Sequence, residues 1–119
     1  MKVVINDCFG GFGLSHEAIL RYFEIKGIPI YTEDEPGSFV VHYWFTPPDQ
    51  RTENNNEYFF DHDLERNDPI LVQVVEELGE AASGSCARLK IVEIPDDVEW
   101  TVEEYDGSEH VAEKHRTWR

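Results

Sequence analysis

A chain of 119 residues, 40% hydrophobic and with three Trp, five Tyr and seven Phe, supplies one sizeable core, and a second independent core is not expected. Twenty-five acidic against ten basic side chains give a net charge of -15, a field that repels a phosphate backbone. Direct nucleic-acid binding therefore needs a local basic patch, and no such patch is visible in the sequence.

Lys2-Val3-Val4-Ile5-Asn6 carries three consecutive apolar, β-prone residues, the pattern of a strand covered on both faces. Residues 7–13 break that pattern with Gly10, Gly11 and Gly13. Ser15 is a natural helix cap with Leu14 placed to staple onto Ile19, so a helix is predicted from His16, with Gly27 as its stop. Its apolar face is read as Ile19, Leu20, Phe23 and Tyr22. Glu33-Asp34-Glu35-Pro36-Gly37 reads as an acidic turn, and Phe39-Val40-Val41-His42-Tyr43-Trp44-Phe45 as a strand halted by Pro47-Pro48. Asn54-Asn55-Asn56 centres a mobile polar excursion, from which Tyr58-Phe59-Phe60 returns as a brief edge segment.

Asp68-Pro69 has the logic of a second helix start: the carboxylate caps, and proline fills the first helical position, where its missing N–H costs nothing. Ile70, Leu71, Val74, Val75 and Leu78 form the apolar face, and the helix is expected to finish near residues 81–83 with Gly84 as the stop. Leu89-Lys90-Ile91-Val92-Glu93-Ile94 then reads as a strand. An alternating run from Val98 to Tyr105 meets Asp106-Gly107, a strong hairpin signal, and Glu109 to His115 returns antiparallel. The order predicts an α+β fold, a mostly antiparallel sheet with two covering helices, in a single domain over residues 1–119.

The stretch CFGGFGLS invites a chemical reading. It lacks the Gly-Lys-Ser end of a phosphate loop and the spacing of a dinucleotide fingerprint. What it offers is a nest of backbone N–H groups before a helix N-terminus, an anion site formed by Gly10, Gly11, Gly13, Ser15 and His16. The architectural reading is a structural turn in which Phe9 and Phe12 plug adjacent core gaps. Cys8 and His16 together suggest a thiol nucleophile and its base, with no clear orienting third group. Cys8 and Cys86 form no spacing motif. With no secretory leader and no apolar run of about 18 residues, they read as buried free thiols of a reduced cytoplasmic protein away from the membrane.

Asp61-His62-Asp63 has ligand types for a divalent metal, but in an extended strand His62 points away from both carboxylates. His110 and His115 likewise face opposite sides of a strand, and the chain lacks HExxH. No metal and no cofactor is expected.

The acidity is uneven, with residues 61–119 carrying sixteen acidic and six basic residues. Glu76, Glu77 and Glu80 mark one acidic helix face, and Glu103, Glu104 and Glu109 sit among the carboxylates of the terminal strands. The bland reading is a solvated face; the functional one is a surface that meets a basic partner, with Trp100, Tyr105 and Trp118 as anchors where exposed.

Taken together, KVVINDCFGGFGLS, RNDPILVQVVEELGEAASG and LKIVEIPDDVEWTVEEYDGSEHVAEKHRTW resemble a family of small uncharacterised proteins associated with bacteriophages and prophages. The likeness covers nearly the whole chain and is least distinctive over residues 32–56. It implies a phage-related intracellular setting and leaves the biochemical role open. The net charge, its concentration in the second half of the chain and the absence of a complete catalytic motif carry the leading expectation, an accessory protein that binds a host protein with a basic surface and inhibits it by occlusion. On this reading Glu76, Glu77, Glu80, Trp100, Glu103, Glu104 and Tyr105 make the contacts. The alternatives are a protein sequestering a small anionic ligand at the glycine turn, and a Cys8-dependent enzyme.

Overall fold

The computed structural model describes residues 1–34, 37 and 41–113. Among these residues, six strands and two α-helices follow in the order β1 (Lys2–Asn6), α1 (His16–Lys26), β2 (Tyr31–Asp34), β3 (Val41–Trp44), α2 (Pro69–Leu78), β4 (Leu89–Glu93), β5 (Trp100–Tyr105) and β6 (Ser108–Glu113). The fold is α+β, with all strand pairs antiparallel and two helices packed over them. The pairing is divided into three two-stranded ribbons, β1–β4, β2–β3 and β5–β6.

The central ribbon explains the apolar run at its start. Val3, Val4 and Ile5 are all buried, and since successive side chains alternate, both faces of β1 are covered; β4 pairs along one edge, while α2 and β6 also contact the strand. Helix α1 is capped as its sequence predicts, with Ser15 Oγ accepting from the Ala18 N–H at 3.1 Å and Gly27 closing it at φ 73°. Its buried face, however, is Ala18, Ile19, Tyr22 and Phe23, while Leu20 is exposed. The buried face is rotated by about one position from the expected one, with Ala18 in the core in place of Leu20.

Helix α2 begins at Pro69 with Asp68 as its cap, the carboxylate accepting from the Ile70 N–H at 2.8 Å. It ends earlier than its periodicity suggests. Gly79 adopts φ 57° and stops the α-helix at Leu78, after which residues Gly79–Ala82 tighten into a 3-10 turn. Val72 joins Leu71, Val74 and Val75 in the core.

Glu33 and Asp34, expected in a turn, are the end of β2, paired with His42 and Val41. Their side chains are exposed, so backbone pairing alone places them in the strand. Phe39 and Val40, the expected start of the β3 run, lie outside the described residues, as do His115 and Trp118. The asparagine segment is a tight turn: Thr52 bridges Asn55, and Thr46 Oγ1 donates to Asn55 Oδ1 at 3.0 Å.

One carboxylate joins the helices. While Oδ1 of Asp68 caps α2, its Oδ2 accepts the Tyr22 hydroxyl at 2.5 Å. Burial pushes the Tyr22 phenol above its ordinary value of 10.0, and the hydrogen bond to Asp68 and the charge of that carboxylate add to the shift. A raised folded pKa means that the stabilisation is fully present below about pH 10 and is lost as pH rises beyond it. Thermal unfolding across this range should show the wild type losing stability more steeply than Tyr22→Phe. At neutral pH the variant should be less stable by about 1.5–3 kcal/mol. Parallel pH profiles would remove the Tyr22–Asp68 bond as the cause.

Candidate functional site

The glycine turn is packed by backbone on both sides. Asn6, fully buried, donates from Nδ2 to the carbonyls of Cys8 (2.6 Å) and Gly107 (2.8 Å), and its Oδ1 accepts from the Arg88 N–H at 2.8 Å. This side chain ties the loop after β1 to the β5–β6 turn and to β4. A Cβ on Gly10 would stand 1.9 Å from the Cys86 carbonyl oxygen, and one on Gly107 would meet the Gly11 nitrogen at 2.6 Å. The carbonyl of Gly13 accepts from Gly84 N–H, and the Leu14 N–H donates to Asp61 Oδ2 at 3.0 Å. The Ser15 N–H donates to Ala82, and its hydroxyl donates to the Ala81 carbonyl.

His16 leaves this group. Its Nδ1 lies 2.8 Å from the hydroxyl of Tyr43, and no contact joins it to Cys8 among the described residues. The five residues expected to form one anion site therefore split: the glycines form a joint, Ser15 caps α1, and His16 turns towards β3. Phe9 also departs from expectation. It is 71% exposed and fills no core gap, whereas Phe12 is buried beneath the Arg66 guanidinium, 3.6 Å from its ring centroid. Cys8 is half-buried and Cys86 exposed, both as free thiols, so burial fails as the expectation for Cys86.

A larger feature lies on the far side of Tyr43. The Phe59 N–H donates to the Tyr43 carbonyl at 2.7 Å, the Phe45 N–H donates to Glu57 at 3.1 Å, and Tyr58 bridges Trp44. This backbone pairing lays residues 57–60 along β3 and forces alternation. Phe59 points inward, its centroid 4.9 Å from that of Phe23. Tyr58 and Phe60 remain 56% and 51% exposed, and Phe45 and Ile28 are exposed nearby.

The aromatic segment forms a ridge between two clefts. One has a volume of about 360 Å3 and is lined by Leu14, Ile19, Val41, His42, Tyr43 and Asp61 as well as the ridge. The other, of about 240 Å3, lies between the ridge and α1. In the first, burial pushes the Tyr43 phenol up, with the charges of Asp61 and Asp34 adding to it, so Tyr43 stays neutral against His16. Asp61, His62 and Asp63 form a 3-10 turn at the end of the ridge, with His62 stacked on Phe60 at 4.8 Å. That turn replaces the extended geometry considered for a metal site. No group of three or more metal-ligating residues occurs among the described residues.

The acidic faces are partly engaged within the chain. Glu76 meets Lys2 at 3.2 Å, and Glu77 accepts from Arg21 Nε at 2.9 Å and from Gln73. The Arg21 hydrogen bond, then that of Gln73, holds the Glu77 carboxyl below its ordinary range. Glu80 is exposed. On the terminal hairpin Glu103 pairs with His110 at 3.0 Å, Glu104 is exposed, and Tyr105 is 73% exposed. Trp100 is half-buried in a small cleft with Val98 and Val111. Glu109, expected on the surface, is buried against Arg66.

No family model matches the chain, and neither a curated protein nor a solved structure matches it. The resemblance to bacteriophage and prophage proteins therefore has nothing to stand on and is withdrawn, and the charge of -15 is a property of this sequence rather than the mark of a class. Among the described residues no helix is long and apolar enough to cross a membrane.

Proposed function

We propose that this protein is a binding module for a basic segment of another protein, gripped at the Tyr58–Phe60 ridge. The observation that carries this reading is the exposure of Phe45, Tyr58 and Phe60 around two adjoining clefts on a chain of net charge -15. Large exposed aromatics flanked by charge are the usual composition of an anchor within a rim, and a one-signed field steers an oppositely charged partner. Glu57, Asp61, Asp63 and Glu65 follow one another around the ridge with no intervening Lys or Arg. Glu103, Glu104 and Tyr105 add a second exposed patch on the terminal hairpin, and Glu80 is a further exposed carboxylate that contributes to steering; Glu76 and Glu77 are engaged by Lys2 and Arg21. Two free thiols, Cys86 exposed, suit a reducing compartment such as the cytoplasm.

The test is an array of synthetic peptides that varies positive charge and apolar anchors independently. Binding is expected only where both are present, weakening as salt rises through the Debye-length range. A Tyr58→Ser, Phe60→Ser double variant should lose at least about tenfold in affinity, as expected for truncated interface anchors, with its unfolding curve little changed because both side chains are exposed. Equal binding by the double variant, or no peptide bound, would remove the proposal.

A second reading has one observation in its favour. The first cleft, at about 360 Å3, falls within the roughly 300–1,000 Å3 typical of small-molecule sites, with His42, Tyr43 and Asp61 among its polar lining. Retention of a compound from a metabolite extract, abolished by Tyr43→Phe, would establish it over the first.

A further inference from the structure

The second cleft carries a more specific chemistry. Its wall contains the rings of Tyr22, Phe23, Phe45, Tyr58, Phe59 and Phe60, together with the Asp63 carboxylate. Several of these rings meet near right angles: Phe23 with Phe59 at 86°, Phe23 with Tyr22 at 80°, and Phe23 with Phe45 at 77°. These contacts pack the buried rings of Tyr22 and Phe23 edge to face at the base of the cleft, which leaves the exposed rings of Phe45, Tyr58 and Phe60 to meet a ligand. The negative faces of aromatic rings attract cations, most strongly where water is displaced.

The cleft already holds an example of that attraction. The ammonium of Lys26 stands 5.3 Å from the Tyr22 ring centroid and 3.4 Å from its hydroxyl, inside the roughly 6 Å limit for a cation on a ring face. Lys26 borders the cleft, and Asp63 supplies the opposite charge on the wall. A cavity of about 150 Å3 accepts benzene, so about 240 Å3 has room for a trimethylammonium head, a group of similar bulk, and part of its chain.

We infer that the cleft between α1 and the Tyr58–Phe60 ridge binds an alkylated ammonium group. The group sits against the rings of Phe45, Tyr58 and Phe60, with Asp63 near the charge and Lys26 as a like-charged neighbour that limits affinity. The inference deepens the reading of the ridge as a site for a basic segment, on which it rests for the side-chain form of the ligand. The same chemistry is available from a free quaternary amine or from a methylated lysine on a protein.

Titration of the full chain with choline, followed by amide chemical shifts, provides the test, with neutral 3,3-dimethyl-1-butanol as the matched probe. Choline should move resonances around residues 45 and 58–63 saturably, and the neutral alcohol should bind about tenfold more weakly, the size of effect a desolvated cation–π contact gives. Lys26→Gln should tighten choline several-fold by removing a like charge. Phe60→Leu, which keeps apolar bulk but removes the ring, should weaken choline and leave the alcohol unchanged. Equal binding of choline and the alcohol, or no saturable shift with choline, overturns the inference.

Peptides bearing trimethyl-lysine or unmodified lysine separate the two sources. Tighter binding of the trimethylated peptide than of choline assigns the site to a protein side chain, and binding of choline alone assigns it to a free amine; both support the ammonium chemistry. Basic peptides that bind the ridge while choline is ignored overturn the cleft's specificity and leave the wider reading standing. Choline bound with no peptide binding does the reverse.

Discussion

Gly10→Ala is expected to destabilise the protein by about 3 kcal/mol, near the top of the range for forcing an extra carbon into a packed site. Gly11→Ala, one residue on, should cost only about 1–2 kcal/mol, the penalty for a side chain at positive φ. At Gly10 the new Cβ would lie 1.9 Å from a backbone carbonyl oxygen and 2.7 Å from its carbon, both of Cys86. Neither atom can swing aside like a side-chain tip, since the adjoining segment is held where Asp7 N–H donates to Arg88 and β1 continues into its pairing with β4. At Gly11 the backbone has φ 89°, but nothing lies within 4 Å of the added carbon. The comparison isolates close approach from conformational freedom. Urea unfolding of the two variants measures it, and comparable losses would overturn the packed-joint account. An anion nest would behave differently, because its glycines would govern ligand affinity more than stability.

Features set by local chemistry were legible in the sequence. Ser15 and Gly27 bracket α1, Asp68-Pro69 starts α2, and Asp106-Gly107 forms the tight turn between β5 and β6, with φ 49° and 89°. Each depends on a residue and its immediate neighbours. The misplaced features depend on remote partners. Glu33 and Asp34 are unfavourable in a strand by type, yet β3 supplies their backbone partners. Phe9 and Phe12 look equivalent until Arg66 covers only Phe12.

The ridge was visible only in part. Tyr58-Phe59-Phe60 reads as a strand edge, and a period of two would have placed Phe59 inward with its neighbours outward. What no short window contains is the approach of α1, which brings Phe23 and Tyr22 beneath Phe59 and converts an edge into the wall of two clefts.

Glu109→Ala is expected to be the most damaging change on the terminal hairpin, at about 3–5 kcal/mol. Arg66 and Glu109 form a two-pronged pair, Nη1 to Oε1 at 2.5 Å and Nη2 to Oε2 at 2.9 Å, and Oε1 also accepts the Asn6 N–H at 2.8 Å. The side chains retain only 15% and 6% of their exposure, so water replaces little of what is lost. Truncation strands the Arg66 guanidinium above Phe12 and leaves the β1 amide unpaired. Replacing both partners, as Arg66→Met with Glu109→Leu, removes the stranded charge and should recover part of the loss, the Asn6 amide accounting for the remainder at about 1–3 kcal/mol. Urea unfolding reads the totals, and hydrogen exchange across β5 and β6 reads whether the hairpin loosens from β1 before the core opens. A loss below about 1 kcal/mol for Glu109→Ala would mean that the pair behaves as a surface contact. The same variant separates the two exposed faces. Basic peptides that still bind when the hairpin has loosened are held at the ridge, and binding lost in step with hairpin protection would place the contact on Glu103, Glu104 and Tyr105 instead.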